Sequence, residues 1–138
     1  MSTGEEKHLR ASGTFTVDAW EPETPYDQRD GVDLGHTTLR KTFAGDMTAT
    51  SEVHMTSVVV PATQSAAYVA IERVEGTLAG RGGSFVLQHS ATADSSGQSL
   101  VVTVVPDTGT GELTGLTGSL LITKDGDQHT WSLDYTLD

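Results

Sequence analysis

Two ionisable residues, Glu72 and His89, stand in otherwise apolar stretches of alternating sequence. A carboxylate and an imidazole that meet on an apolar surface can act as general acid and base, or hold a ligand hydroxyl or carbonyl. Burial is expected to raise the pKa of such a carboxylate, and a neighbouring imidazole can then share its proton. The alternative, which we favour slightly, is a structural Glu–His hydrogen bond that only fixes strand register.

The turn Gly80-Arg81-Gly82-Gly83 sets the pairing of the two strands that carry these residues. If its first and last glycines pair, Val74 lies opposite His89, and Glu72 faces the same side from the diagonal position. A slip of one residue would bury unpaired charges such as Arg73, so the register is well determined. The remaining side chains on this face are apolar or aromatic, as in a barrel interior: Tyr68, Ala70, Val74, Leu78, Phe85, Leu87, Ala91, Leu100, Val102 and Val104.

Four aromatic residues on the predicted interior are candidate ligand contacts, because aromatic rings can line a cavity and stack on a bound molecule. They are Tyr68, Phe85, Trp131 and Tyr135; the last two share a face if Lys124 lies opposite Asp127 in the final hairpin. Core filling is the commoner role for each of them taken singly.

The elements that position these residues are predicted to be strands. The chain has 21 threonines, 13 valines and 15 glycines, and no segment shows convincing helical periodicity. β-branched side chains fit a pleated sheet better than a helix. Turn signals divide the sequence into eight strands, at about 10–20, 34–44, 47–60, 66–79, 84–93, 98–105, 112–124 and 128–138.

Short connections between all but the first two strands predict antiparallel neighbours. We therefore expect an all-β fold, a single eight-stranded antiparallel up-and-down barrel over 10–138, after a disordered or extended tail over 1–9; a sandwich is the second choice. Such a barrel is nearly filled by side chains or holds one small ligand.

Two features of this barrel stay open at the level of sequence. A two-residue turn at Gly45-Asp46 would turn Leu39 and Phe43 outward, whereas a bulge or a longer turn would turn them inward. The acidic loop 21–33 is either a solvated face or a lid over one mouth of the barrel.

Composition limits the partners and the chemistry. The chain has 8 Lys and Arg against 19 Asp and Glu, a net charge of −11, which disfavours nucleic acid and anionic membrane surfaces. There are no cysteines, and none of the five histidines shows a ligand spacing, so we expect neither a metal site nor a cofactor. Without a signal or membrane-spanning segment, the expected location is the cytoplasm.

Several stretches carry a resemblance to a known family. They are Phe43-Ala44-Gly45-Asp46, the segments 71–78 and 83–89, and the glycine-spaced segment 109–118. Over about residues 11–138 the chain resembles a family of small bacterial proteins catalogued as a domain of unknown function, whose fold is a barrel like that of allene oxide cyclase. The glycine-spaced segment is similar, more loosely, to plant allene oxide cyclases and dirigent proteins.

The resemblance implies a fold rather than a reaction. Those plant relatives work without a cofactor on an unsaturated or phenolic substrate, and no catalytic motif carries over residue by residue. We therefore expect a cofactor-free isomerase or cyclase that uses Glu72 and His89 on a small, largely apolar metabolite. The alternative is a non-catalytic binding protein or a scaffold with a filled barrel. The outward apolar residues Val69, Ile71 and Val86 predict a homo-oligomer.

Overall fold

The computed structural model describes residues 8–137, and in this part of the chain eight antiparallel strands close into one barrel. Each strand pairs with its neighbours in sequence, and the last strand pairs with the first, so the predicted all-β up-and-down barrel is confirmed. Of the predicted tail, residues 1–7 lie outside the described residues. The strands are β1 Leu9–Pro22, β2 Asp33–Gly45, β3 Met47–Val60, β4 Ser65–Leu78, β5 Arg81–Asp94, β6 Gly97–Val104, β7 Thr117–Asp125 and β8 Gln128–Thr136.

The seventh strand begins later than the sequence predicts. Instead of extended backbone from residue 112, the chain forms a short 3-10 helix, Gly111–Leu113, and then a turn. This segment crosses close to β5: a Cβ atom at Gly83 would lie 2.1 Å from the carbonyl oxygen of Thr110. Leu113 and Leu116 are fully buried in the core. The segment therefore packs against one end of the barrel instead of extending its wall.

The register of the β4–β5 hairpin differs from the predicted one by four residues. Val74 lies opposite Phe85 instead of His89, and Glu72 lies opposite Leu87 instead of Ala91. The reason is that the two-residue turn lies at Ala79-Gly80 instead of Arg81-Gly82. Both turn residues have positive φ (49° and 83°), a conformation typical of a type I′ hairpin. Because side chains alternate with a period of two, this shift keeps every residue on its predicted face.

The last hairpin shows the same kind of difference. Lys124 lies opposite His129 instead of Asp127, because the two-residue turn is at Gly126-Asp127. Gly126 occupies the first position of this turn with a positive φ of 63°, a conformation that glycine adopts readily. The predicted pairing of β5 with β6, with Ala93 opposite Gln98, is confirmed.

The ambiguous pair, β2 and β3, turns Leu39 and Phe43 inward. The last pair before the turn is Phe43 opposite Ala49, so an odd number of residues, 44–48, connects the strands. Odd-numbered residues of β2 therefore pair with odd-numbered residues of β3, and paired residues point to the same face of the sheet. Lys41 thereby enters the barrel, opposite Ser51.

The barrel interior has three layers along the strands. A larger apolar cluster includes Phe43, Val74 and Leu87, and a smaller one is built on Leu39, Val53 and Ala70. Between them, one inward position on each of four neighbouring strands is polar or ionisable. These four residues, called the polar layer below, are Lys41, Ser51, Glu72 and His89.

The long loop between β1 and β2 lies along β2. Backbone hydrogen bonds join Glu23 to His36 and Tyr26 to Leu34, and the rings of Tyr26 and His36 stack 5.0 Å apart. Its role as a lid stays a prediction. Within residues 8–137, no helix is long and apolar enough to span a membrane.

Candidate functional site

The polar layer is assembled by strand pairing. Lys41 on β2 lies directly opposite Ser51 on β3. Glu72 on β4 lies opposite Val53, and His89 on β5 lies opposite Ala70, so each is diagonal to the next polar residue. Inward side chains at such diagonal positions are within reach when they are long. The predicted meeting of Glu72 and His89 is thus present, although with the corrected register.

Glu72 is the centre of the layer and is 0% exposed. Its Oε1 atom accepts hydrogen bonds from His89 Nε2 at 2.7 Å and from Lys41 Nζ at 3.3 Å. Its Oε2 atom accepts a hydrogen bond from the Ser51 hydroxyl at 2.6 Å. Three donors on two carboxylate oxygens stabilise the ionised form of the side chain.

The charge state of Glu72 corrects the expectation of a raised pKa. Burial alone raises the pKa of Glu72, but the hydrogen bond from His89, the charge of Lys41 and the hydrogen bond from Ser51 together outweigh it. The pKa of Glu72 therefore lies below its ordinary value. At neutral pH this carboxylate is an acceptor that positions its neighbours, and it has no proton to give.

His89 is 2% exposed, and its two ring nitrogens differ. Because an ionised carboxylate can only accept, Nε2 must carry the proton that it donates to Glu72. The other nitrogen, Nδ1, is buried and has no hydrogen-bond partner among the described residues. In the neutral ring this nitrogen has a free lone pair, the feature of a base or an acceptor.

Sequence reasoning missed Ser51 and also Lys41, the charged one of the two. Its buried ammonium lies 4.8 Å from the centre of the Phe15 ring and 6.0 Å from that of Phe43, in addition to its contact with Glu72. Aromatic faces attract a desolvated cation. In the sequence, Lys41 is marked only by its alternation with Leu39 and Phe43. This alternation predicts an inward side chain only when the β2–β3 register is known.

A cavity of about 490 Å³ opens at the barrel mouth beyond the smaller cluster. Tyr68 and Ala91, which pair directly across β4 and β5, lie at its inner side, and the Tyr68 ring is 6.2 Å from the His89 ring. Burial and the nearby charge of Glu72 raise the pKa of Tyr68, which keeps its hydroxyl protonated. No charged side chain of residues 8–137 lines this cavity, whose walls include Trp20, Thr37, Met55, Ser57, Ala66, Tyr68, Ala91, Gln98 and Leu100.

The other three aromatic candidates lie in the larger cluster. Phe85, Trp131 and Tyr135 are buried there, among the side chains that fill the barrel. The indole nitrogen of Trp131 donates to the carbonyl oxygens of Thr14 and Ala44, which satisfies its one polar atom. Of the four residues, only Tyr68 lines the mouth cavity, and ligand contact by the other three stays a prediction.

A larger concave region, of about 710 Å³, lies on the outer wall, where charged side chains such as Arg40, Glu52 and Arg73 line it. Most of its lining lies on the exposed faces of β2 to β4, although Lys41 and Ser51 of the polar layer also line it. Within residues 8–137, no group of three or more His, Cys, Asp and Glu is arranged to hold a metal ion.

These features define a class of protein: a closed antiparallel barrel with a buried Lys–Glu–His cluster beneath an apolar mouth. The chain belongs to the family described as "Protein of unknown function (DUF3224)", which matches residues 11–135. The predicted family is therefore confirmed, whereas the likeness of its barrel to allene oxide cyclase stays a prediction.

A crystal structure of a protein of unknown function from the same family, from Shewanella oneidensis MR-1, has the same fold. Its TM-score is 0.87 and its sequence identity is 40%, with 96% of this chain and 99% of that chain covered. No curated protein is significantly similar to the chain. The comparisons thus support a shared barrel without an assigned activity.

Proposed function

We propose that this barrel binds a small, largely apolar metabolite in its mouth and catalyses a cofactor-free isomerisation or cyclisation by proton transfer. The observation that carries the proposal is the unpartnered Nδ1 atom of His89, buried near a cavity and held by an ionised carboxylate. His89 takes a proton from one atom of the bound molecule and returns it to another. The sum of the two steps changes no oxidation state of the protein, so no redox cofactor is required.

The carboxylate and the imidazole have distinct roles in this proposal. Glu72 fixes the tautomer and orientation of His89 and stabilises the imidazolium that forms when Nδ1 accepts a proton, as a carboxylate does in other imidazole bases. Lys41 and Ser51 keep Glu72 ionised. Glu72 is therefore a positioning residue, and His89 is the candidate catalytic residue.

The mouth cavity suits a ligand with an apolar body. Its volume of about 490 Å³ lies within the usual range of small-molecule sites, roughly 300–1,000 Å³. Aliphatic and aromatic walls with a few hydroxyl and amide groups are typical of such sites. Tyr68 lines the cavity with its ring 6.2 Å from that of His89, and His89 itself lies one inward position deeper on β5 than the lining residue Ala91.

The test measures proton transfer without requiring the natural substrate. A panel of apolar ketones, such as 4-phenyl-2-butanone, is incubated with the protein in D₂O, and loss of the α-proton signals is followed by NMR. Binding is measured in parallel by saturation transfer. We expect saturable exchange with the wild-type protein and loss of it in His89→Gln, whose amide can still donate to Glu72.

His54→Gln is the matched control, because His54 is an exposed imidazole beside Glu52 on the outer wall. This variant should exchange protons as the wild type does. Exchange that depends equally on both histidines, or that survives in His89→Gln, would contradict the role of His89. If neither the ketones nor the alcohol probe described in the next subsection binds, the proposed site itself is wrong.

A second candidate is a binding protein that performs no chemistry. It is favoured by the deep burial of His89 and by the larger cluster, which fills the other end of the barrel. In that case the ketones bind in the mouth, and no exchange exceeds that of the buffer.

A further inference from the structure

The chemical character of the ligand follows from the hydrogen bonds that the polar layer already makes. Both oxygens of Glu72 have donors, and all of its partners are on the protein: Lys41, His89 and Ser51. The unsatisfied atom of the layer is Nδ1 of His89. Buried polar atoms in folded proteins nearly always have a partner, so an acceptor left alone beside a cavity is best explained by a donor that arrives with a ligand.

The charges of the site argue against an ionic ligand. Lys41 and Glu72 neutralise each other within the buried layer, and in the described part of the chain no charged side chain lines the mouth cavity. An anion or a cation would lose its hydration there without gaining a counter-ion, which is costly in an apolar environment. The net charge of −11 further disfavours the approach of an anion.

The position of the acceptor indicates where the polar group of the ligand lies. His89 and Ala91 are successive inward residues of β5, and Ala91 lines the cavity opposite Tyr68. A molecule whose apolar body occupies the mouth must therefore carry its donor at the inner end, past the Tyr68 ring. Hydroxyl and amide groups near the mouth, such as Ser57 and Gln98, are available to other polar atoms of the ligand.

We infer that the barrel selects an uncharged ligand with an apolar body and a terminal O–H or N–H group, which donates a hydrogen bond to Nδ1 of His89. This inference rests on the proposed small-molecule site and adds the class of ligand that the site accepts. It holds whether or not proton transfer follows binding.

Three probes of matched shape test the selection: 4-butylbenzyl alcohol, its methyl ether and 4-butylbenzoate. Binding is followed by NMR of protein labelled at the methionine methyl groups. Met55 lines the cavity and reports binding there, whereas Met47 is buried in the larger cluster and serves as the internal control. We expect the alcohol to bind about tenfold more tightly than the ether, and the benzoate to bind most weakly.

A second measurement locates the hydrogen bond itself. In long-range ¹H–¹⁵N spectra of the wild-type imidazoles, the Nδ1 signal of His89 should shift on addition of the alcohol and stay unchanged with the ether. In His89→Leu the alcohol and the ether should bind equally. The wild-type spectra keep the inference testable if that variant does not fold.

The outcomes separate this inference from the proposed function. Equal binding of alcohol and ether to the wild type, or tightest binding of the benzoate, overturns the ligand class and leaves the mouth as a binding site. Absence of binding by all three probes, with no change at Met55, overturns the proposed site and the inference with it.

Discussion

Removal of the charge of Glu72 should destabilise the barrel more than removal of the charge of Lys41. Removal of both charges should lower the free energy of unfolding less than removal of the Glu72 charge alone. Glu72 is fully buried, and its carboxylate is the acceptor to which the Lys41 ammonium donates. In Glu72→Gln the ammonium stays buried beside a neutral amide and the Phe15 ring. In Lys41→Met the carboxylate still accepts from Ser51 and His89.

The size of the effect follows from the cost of an unpaired buried charge. Breaking a buried ion pair from one side costs about 3–5 kcal/mol, and Glu72→Gln should fall in this range. Lys41→Met should lie near its lower end, because two donors to Glu72 remain. Replacing both members of a buried pair is often close to neutral, so the double variant should be more stable than Glu72→Gln. Since a domain has only about 5–15 kcal/mol of stability, these differences are large.

Urea unfolding followed by tryptophan fluorescence measures these free energies, because Trp131 is buried in the larger cluster. The exposed Arg10–Asp134 pair provides the control: Arg10→Met should change the free energy of unfolding much less than either buried substitution. The reasoning is refuted if both single variants lose less than about 1 kcal/mol and their effects simply add in the double variant.

Three other predictions concern pH, assembly and close packing. Because the folded state holds the pKa of Glu72 below its ordinary value of 4.5, its ionisation stabilises the fold above about pH 4.5. That contribution is lost as the pH falls through the lower folded pKa, so melting temperatures should drop on acidification and Glu72→Gln should drop less steeply. Val69 and Ile71 are 57% and 51% exposed on the outer wall, and light scattering should therefore show an oligomer that Ile71→Lys dissociates; a wild-type monomer would contradict this. Gly83→Ala should lower the free energy of unfolding by roughly 1–3 kcal/mol, because the added Cβ would lie 2.1 Å from a loop carbonyl oxygen. Gly35→Ala is the control: its Cβ would make only ordinary contacts, so the denaturation midpoint should stay unchanged.

The barrel and its inward faces could be predicted from the sequence because their signals are local. Alternation of apolar and polar residues has a period of two, and turn residues mark the strand ends. An error of four residues in the β4–β5 register changes the partners of Glu72 but leaves its face unchanged, because the shift is even. The meeting of Glu72 and His89 could therefore be predicted despite the wrong pairing.

The seventh strand shows where local signals fail. Residues 112–116 include Leu113, Thr114 and Leu116, which fit a strand, yet this segment folds as the end of a 3-10 helix and a turn. Its conformation depends on the close approach of Thr110 to Gly83, which are distant in the sequence. No pattern within the segment itself encodes that contact.

The sequence by itself determined the strands, the faces of most of them and the proximity of a carboxylate to an imidazole. Only the tertiary structure decided the chemistry of that pair. The odd connection between β2 and β3 brings Lys41 inward, and its charge, with the donors on Ser51 and His89, holds the pKa of Glu72 below its ordinary value although burial raises it. The tautomer of His89 and its free nitrogen follow from that charge state. The physical reason is that a pKa in a barrel interior is set by every group that the closed sheet brings within a few ångströms, and those groups come from four separate strands.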